Sequence, residues 1–252
     1  MTEKNNGVWR RLVRSASLAS AVLALAMSGI AVPAHADDFI VYSPHVTQGR
    51  SELEFRSSAF RDSSADLNGT RSYTFSAAYG VTNWWKPELY FAQYERAPGG
   101  TTELSGYEFE NTFQLAPVGE YWADPGFLLA YEHVRAPGEP NVMEFGPLFE
   151  KRVGRIDQRL NMIWEKQVGG GASGEYEFRT AYSIGYRLRA AFQPGLEAYY
   201  RPSDNASHLG PVISGELRTS PGRELEYSVG VVFGLRAQAA NQTFVARLEY
   251  EF

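Results

Sequence analysis

The sequence predicts an all-β chain, a closed antiparallel up-and-down transmembrane β-barrel of about twelve strands, and three observations predict it. Runs of roughly ten residues alternate apolar and polar side chains, the two-residue period of a strand with unlike faces. Breaks rich in Gly, Pro, Asn and Asp separate the runs. The chain also closes on QTFVARLEYEF, where Phe244, Ala246, Leu248, Tyr250 and Phe252 share one face and Val245, Arg247, Glu249 and Glu251 the other. Most domains let their last residues fray, so a patterned strand running to the final residue is a working part.

The N-terminal end supplies the context. Residues 1–36 combine a basic stretch (Arg10, Arg11, Arg14), the apolar run LASAVLALAMSGIAV and the small-residue pattern Ala34-His35-Ala36 before Asp37. That is the layout of a cleavable secretory signal, and the apolar run is too short for a spanning helix. Residues 37–252 are then one unit, long enough for a single barrel. The whole chain has 24 Lys and Arg against 29 Asp and Glu, and with the four cations and one anion of the signal removed the remainder sits at about −8. Such acidity excludes a nucleic-acid partner, which needs a basic face. With no cysteine, neither disulfides nor thiolate metal sites arise.

The strands follow in order. Residues 51–61 place Glu52, Glu54 and Arg56 on one face; 71–80 place Tyr73, Phe75, Ala77 and Tyr79 on the other, apolar face. Segments 85–96 and 104–116 continue the scheme, the latter with Glu108 and Glu110 on its polar side. In 126–135, Phe127, Leu129, Tyr131 and His133 share a phase; 141–151 follows. In 155–167 the apolar Ile156, Leu160, Met162 and Trp164 oppose Arg155 and Arg159. The clearest run, 174–187, sets Tyr176, Phe178, Tyr182, Ile184 and Tyr186 against Glu175, Glu177, Arg179 and Arg187. Segments 189–201, 208–219 (with Glu216 and Arg218), 223–236 and 242–252 complete an even set.

The connections sort into two classes. Those after the second, sixth, eighth and tenth strands (GVTN, KRVGR, RLRA, SPGR) are tight. Those after the first, third, seventh, ninth and eleventh (DSSADLNGT, APGGTTE, VGGGASG, PSDNAS, AQAAN) are longer and polar or small; PVGEYWADP at 117–125 is long on the short side. Short turns at one end and longer loops at the other are the pattern of an outer-membrane barrel. The cause is that lipid cannot satisfy backbone N–H and C=O groups, so a spanning sheet must close on itself. Aromatic residues near strand ends (Trp84, Trp85, Tyr121, Trp122, Tyr199, Tyr200) read as interfacial girdles. A periplasmic soluble barrel or sandwich shares the alternation, with the apolar face turned inward.

Catalytic chemistry is absent from the pattern. His45, His133 and His208 are scattered, no serine adjoins His133, and an interfacial position accounts for it. Glu pairs at i, i+2 (Glu52/Glu54, Glu108/Glu110, Glu175/Glu177, Glu224/Glu226, Glu249/Glu251) lie among arginines on the same face and read as cross-strand charge pairing rather than acid–base or Ca²⁺ sites. VGGGASG lacks the Lys-Ser/Thr of a phosphate loop. No metal-binding or nucleotide-binding spacing stands out, so neither metal nor cofactor is expected.

YGVTNWWKPELYF and ENTFQLAPVGEYWADPGFLLAYEH resemble proteobacterial exported proteins related to the family labelled MetA-pathway of phenol degradation. The resemblance implies an outer-membrane barrel passing small solutes, aromatic or hydrophobic ones by the family's label, and brings no site residues. The terminal Phe252 with Tyr250, Leu248, Ala246 and Phe244 resembles the C-terminal signal by which such barrels are recognised, implying a partnership with the barrel assembly machinery in addition to outer-membrane lipid.

The expected function is a passive channel or uptake route for a small solute in the bacterial outer membrane. Expected lumen-lining residues are Arg155, Arg159, Arg179, Arg187, Arg247, Glu175, Glu177 and Glu249, whose mixed signs predict weak charge selectivity. Twelve strands leave either a narrow pore or a packed network. The competing readings are a closed structural or adhesion barrel of the envelope and an outer-membrane lipid-modifying enzyme.

Overall fold

The computed structural model describes residues 39–252; the expected signal segment 1–36 and its cleavage site lie outside the described residues. The strands are β1 (Ser51–Arg61), β2 (Arg71–Tyr79), β3 (Trp85–Arg96), β4 (Thr102–Gln114), β5 (Asp124–Val134), β6 (Asn141–Val153), β7 (Ile156–Val168), β8 (Tyr176–Tyr186), β9 (Gln193–Arg201), β10 (Ala206–Ser220), β11 (Arg223–Gly234) and β12 (Gln242–Glu251). Each pairs antiparallel with its neighbour in sequence, and β12 returns to β1, closing the barrel. At the seam the Ser51 and Phe252 amides each donate to the other's carbonyl at 3.0 Å. The patterned C-terminus therefore completes the sheet.

Strand boundaries fall within a few residues of the expected ones. The largest shift is at β9, which begins at Gln193 rather than 189. Residues 187–192 serve the neighbouring strands instead: the Ala190 carbonyl accepts the Glu216 amide and the Ala191 carbonyl the Tyr227 hydroxyl, both at 2.9 Å. In β3, a bulge at Phe91 adds one residue against β2 and keeps both Tyr90 and Gln93 inward.

Burial is inverted relative to a water-soluble fold. Leu53, Leu89, Phe109, Leu196, Val229, Phe233, Phe244 and Leu248 are exposed on the outer face, whereas Glu54, Arg56, Ser72, Thr74, Glu88, Glu108, Glu110 and Thr112 are buried on the inner one. An apolar belt around a whole barrel far exceeds the few hundred Å² tolerated on a soluble monomer, which matches the transmembrane form of the fold rather than its soluble rival.

The end that carries Ser51 and Phe252, called the near end, holds connections 80–84, 115–123, 154–155, 187–192 and 221–222; the far end holds 62–70, 97–101, 135–140, 169–175, 202–205 and 235–241. Two near-end turns are only two residues long, and their glycines, Gly154 (φ 61°) and Gly222 (φ 75°), adopt the left-handed backbone such turns demand. Trp84 lies at the near end, stacked 6.2 Å from Phe113, with Tyr121 and Trp122 exposed close by. Tyr199 departs from the girdle expectation. Adjacent strand residues face opposite ways, so with Tyr200 outward, Tyr199 is buried inside the barrel.

Candidate functional site

The interior is partly filled by the chain's own N-terminal segment. Residues 39–49 run through the lumen from the far end to the near end and then turn into β1. At the far end Phe39 packs against Phe60, Tyr199 and His208, with ring centroids 5.1–5.7 Å apart. Halfway down, Asn161 on β7 clasps Tyr42: its Oδ1 accepts the Tyr42 amide at 2.7 Å and its Nδ2 donates to the Tyr42 carbonyl at 3.0 Å. Below that, Ser43 Oγ donates to Glu150 at 2.7 Å and the Val46 amide to Gln114 Oε1 at 2.9 Å, and His45 Nε2 lies 3.0 Å from Asp124 Oδ2. The Gly49 amide reaches the Gly80 carbonyl, 2.8 Å away in the β2–β3 turn. An extended segment in the lumen has no sheet neighbour, so wall side chains supply partners its backbone needs.

The wall is shaped to receive it. Ile40 and Tyr42 pack on Leu128, Ala130, Leu148 and Ile163, and Val41 on Ala181, Tyr199 and Val232. These wall residues occupy the inward phase, where polar residues are the rule. Gly126 completes the cradle: a Cβ there would lie 2.5 Å from Pro44 Cβ. The sequence carried a signal for all this, since FLLA at 127–130 and MIW at 162–164 are apolar on both phases, marking an inner partner.

Charged residues fill much of the remaining space as networks. Near the far end, Arg179 donates to Glu165 at 2.6 Å and also to Glu144, while Arg201 grips Glu165 with two nitrogens at 2.7 and 2.9 Å and reaches Glu177 at 3.3 Å. Near the other end, Arg247 bridges Glu54 and Glu249, Lys86 meets Glu52 at 2.6 Å, and Arg159 donates to Glu150 at 3.0 Å. Arg56 pairs with Glu54 and Tyr90 and lies over the Tyr42 ring, 5.3 Å from its centroid. These networks hold the wall and the segment together. A charge removed from one leaves its partner buried and uncompensated.

Beside the segment a cavity of about 130 Å³ remains, bounded by Phe39, Ile40 and Val41 and by inward residues of β7 to β12 and β1. Arg159, Arg247 and Glu249 line it, as do Glu197, Glu216 and Glu226, which were not among the expected lumen-lining residues. Arg179 and Glu177 face inward but belong to the far-end network. Arg187, 3.9 Å from Glu216, stands just past the end of β8. Arg155 and Glu175 do not lie on the lumen wall: both are exposed, Arg155 in the β6–β7 turn and Glu175 before β8, because the strands on which they were placed begin one or two residues later. His133 faces outward, its Nδ1 3.0 Å from Asn141 Oδ1. Among the described residues, Glu52, Glu249 and Glu251 have carboxylate oxygens within 4.8 Å of one another, but Lys86 already holds Glu52.

No family model matches the chain, and no curated protein matches it. Solved structures do. The NanC porin is 10% identical, with a TM-score of 0.52 over 79% of this chain and 98% of that one. The KdgM porin is 11% identical, with a TM-score of 0.51 over 80% and 98%. The KdgM porin in complex with disordered oligogalacturonate is 10% identical, with a TM-score of 0.50 over the same shares. At such identity the likeness is one of fold, and the fold is that of porin barrels.

Proposed function

We propose that the protein spans the bacterial outer membrane and acts as a narrow channel for small hydrophilic solutes, its bore set by its own N-terminal segment. The observation that carries this reading is the polar cavity left between segment and wall inside a barrel whose outer face is apolar. The near end, with the tighter turns and the chain seam, is the periplasmic one. The polar lining favours hydrophilic solutes over the aromatic compounds suggested by the MetA-pathway label, and the porin-like fold supports passage in general. Phe252 and the outward Phe244, Leu248 and Tyr250 are the surface offered to the assembly machinery.

The test is single-channel conductance in a planar bilayer, comparing residues 37–252 with a variant lacking 37–48. Discrete small steps that grow on removal of the segment are expected. A closed structural barrel is the second reading, favoured by the same segment. Folded protein that inserts and stays silent with and without the segment would establish that reading and refute the channel.

A further inference from the structure

We infer that the passage selects cations over anions, and that an arc of carboxylates on β1, β12, β11 and β10 sets this preference, with Glu226 and Glu216 its determining members. The inference rests on the channel reading and adds to it the sign of the permeant charge. Register is the first ground. Glu54 stands opposite Glu249, Glu249 opposite Glu226, and Glu226 opposite Glu216, so four inward carboxylates lie side by side on four neighbouring strands. Strands are spaced about 4.8 Å apart, and like charges directly opposite one another destabilise a sheet. The far-end row of Glu144, Glu165 and Glu177 stands in register in the same way, but there Arg179 and Arg201 reach all three carboxylates.

The second ground is where the row sits. Three of its members, Glu249, Glu226 and Glu216, line the cavity, joined by Glu197 from β9 and Asp157 from β7. The arginines at the same cavity are Arg56, Arg159 and Arg247. Each is held by a carboxylate: Arg56 by Glu54, Arg247 by Glu54 and Glu249, and Arg159 by Glu150 on the segment's side of the lumen. The acidic excess therefore falls on the β9–β11 side, where among the described residues the hydrogen-bond donors are the Tyr199 hydroxyl to Glu197 (2.5 Å) and the Gln193 amide to Glu216 (3.3 Å), with Arg187 farther off at 3.9 Å from Glu216. Rings of carboxylates of this kind admit cations and repel anions. The N-terminal segment narrows the passage, covering the apolar faces of β5, β6 and β7 on one side and touching Ala181, Tyr199 and Val232 on the other.

Reversal potentials across a KCl gradient at pH 8 test the inference. The wild-type channel should pass K⁺ in preference to Cl⁻, and Glu226→Gln and Glu216→Gln should each lower the permeability ratio about threefold. That is the order expected for one unit charge about 7 Å from the ion path in water at 0.1 M salt. Glu226→Asp should retain the preference, and heat-dependent gel mobility reports that each variant is folded. A conducting channel with a ratio at or below one, or ratios unmoved in both Gln variants, overturns the inference while leaving the channel intact. A barrel that is silent even without residues 37–48 overturns the channel reading and this inference together.

Discussion

Asn161→Leu isolates the clasp that holds the N-terminal segment. The side chain is buried, and its two hydrogen bonds are the ones that satisfy the Tyr42 backbone halfway along the lumen. Leu keeps the branched four-atom shape of Asn but carries no hydrogen-bonding group, so Tyr42 loses both a donor and an acceptor. A buried backbone group left without a partner costs about 1–3 kcal/mol, so the inserted state loses about 2–6 kcal/mol. At 1.4 kcal/mol per tenfold, the withdrawn population rises by roughly 30-fold to 20,000-fold. The barrel ladder does not depend on this side chain and should stay closed. The assay is single-channel recording paired with hydrogen exchange at residues 40–46. Long dwells at the conductance of the variant lacking 37–48, and faster exchange in the segment, are expected. A folded Asn161→Leu protein with wild-type conductance levels and unchanged protection would refute the idea that this pair secures the segment.

Other perturbations follow from the same geometry. Gly126→Val forces a side chain against Pro44, 2.5 Å from the new Cβ, an overpacking cost of about 1–3 kcal/mol; recordings should show the same withdrawal as Asn161→Leu but more weakly. Arg179→Gln removes the cation shared by Glu144 and Glu165, and breaking a buried pair costs about 3–5 kcal/mol. It should lower the temperature of the gel-mobility shift and leave the reversal potential where it was, because Arg179 lies off the cavity; a moved potential would place it on the ion path. Deleting Phe252 removes two backbone bonds at the β1–β12 seam and the ring stacked 5.7 Å from Tyr250. Cells should then hold less heat-modifiable barrel at equal synthesis, and an unchanged folded fraction would count against the terminal residue as an assembly signal.

The strand count, the facing of each strand and the closing role of QTFVARLEYEF were legible because a closed sheet with unlike surroundings on its two faces writes its demand into every second residue. Glu108, Glu110, Arg247 and Glu249 all point inward where their phase says they should. Arg155 and Glu175 were misplaced because phase continues past a strand's end in the sequence but not in the sheet. The roles of charged residues were less legible still: Arg179 and Arg159 look alike in the sequence, yet one is locked into a network and the other borders the cavity.

The sequence by itself determined a twelve-stranded barrel with an apolar exterior and a charged interior, because alternation is a local pattern that local chemistry enforces. Only the tertiary structure decided what the interior holds. The segment at 39–49 carries no ladder of its own, and its partners lie far away in the chain, Asn161 being 119 residues from Tyr42. No periodicity marks an extended segment held mostly by wall side chains, so its place in the lumen emerges only once the wall has closed around it.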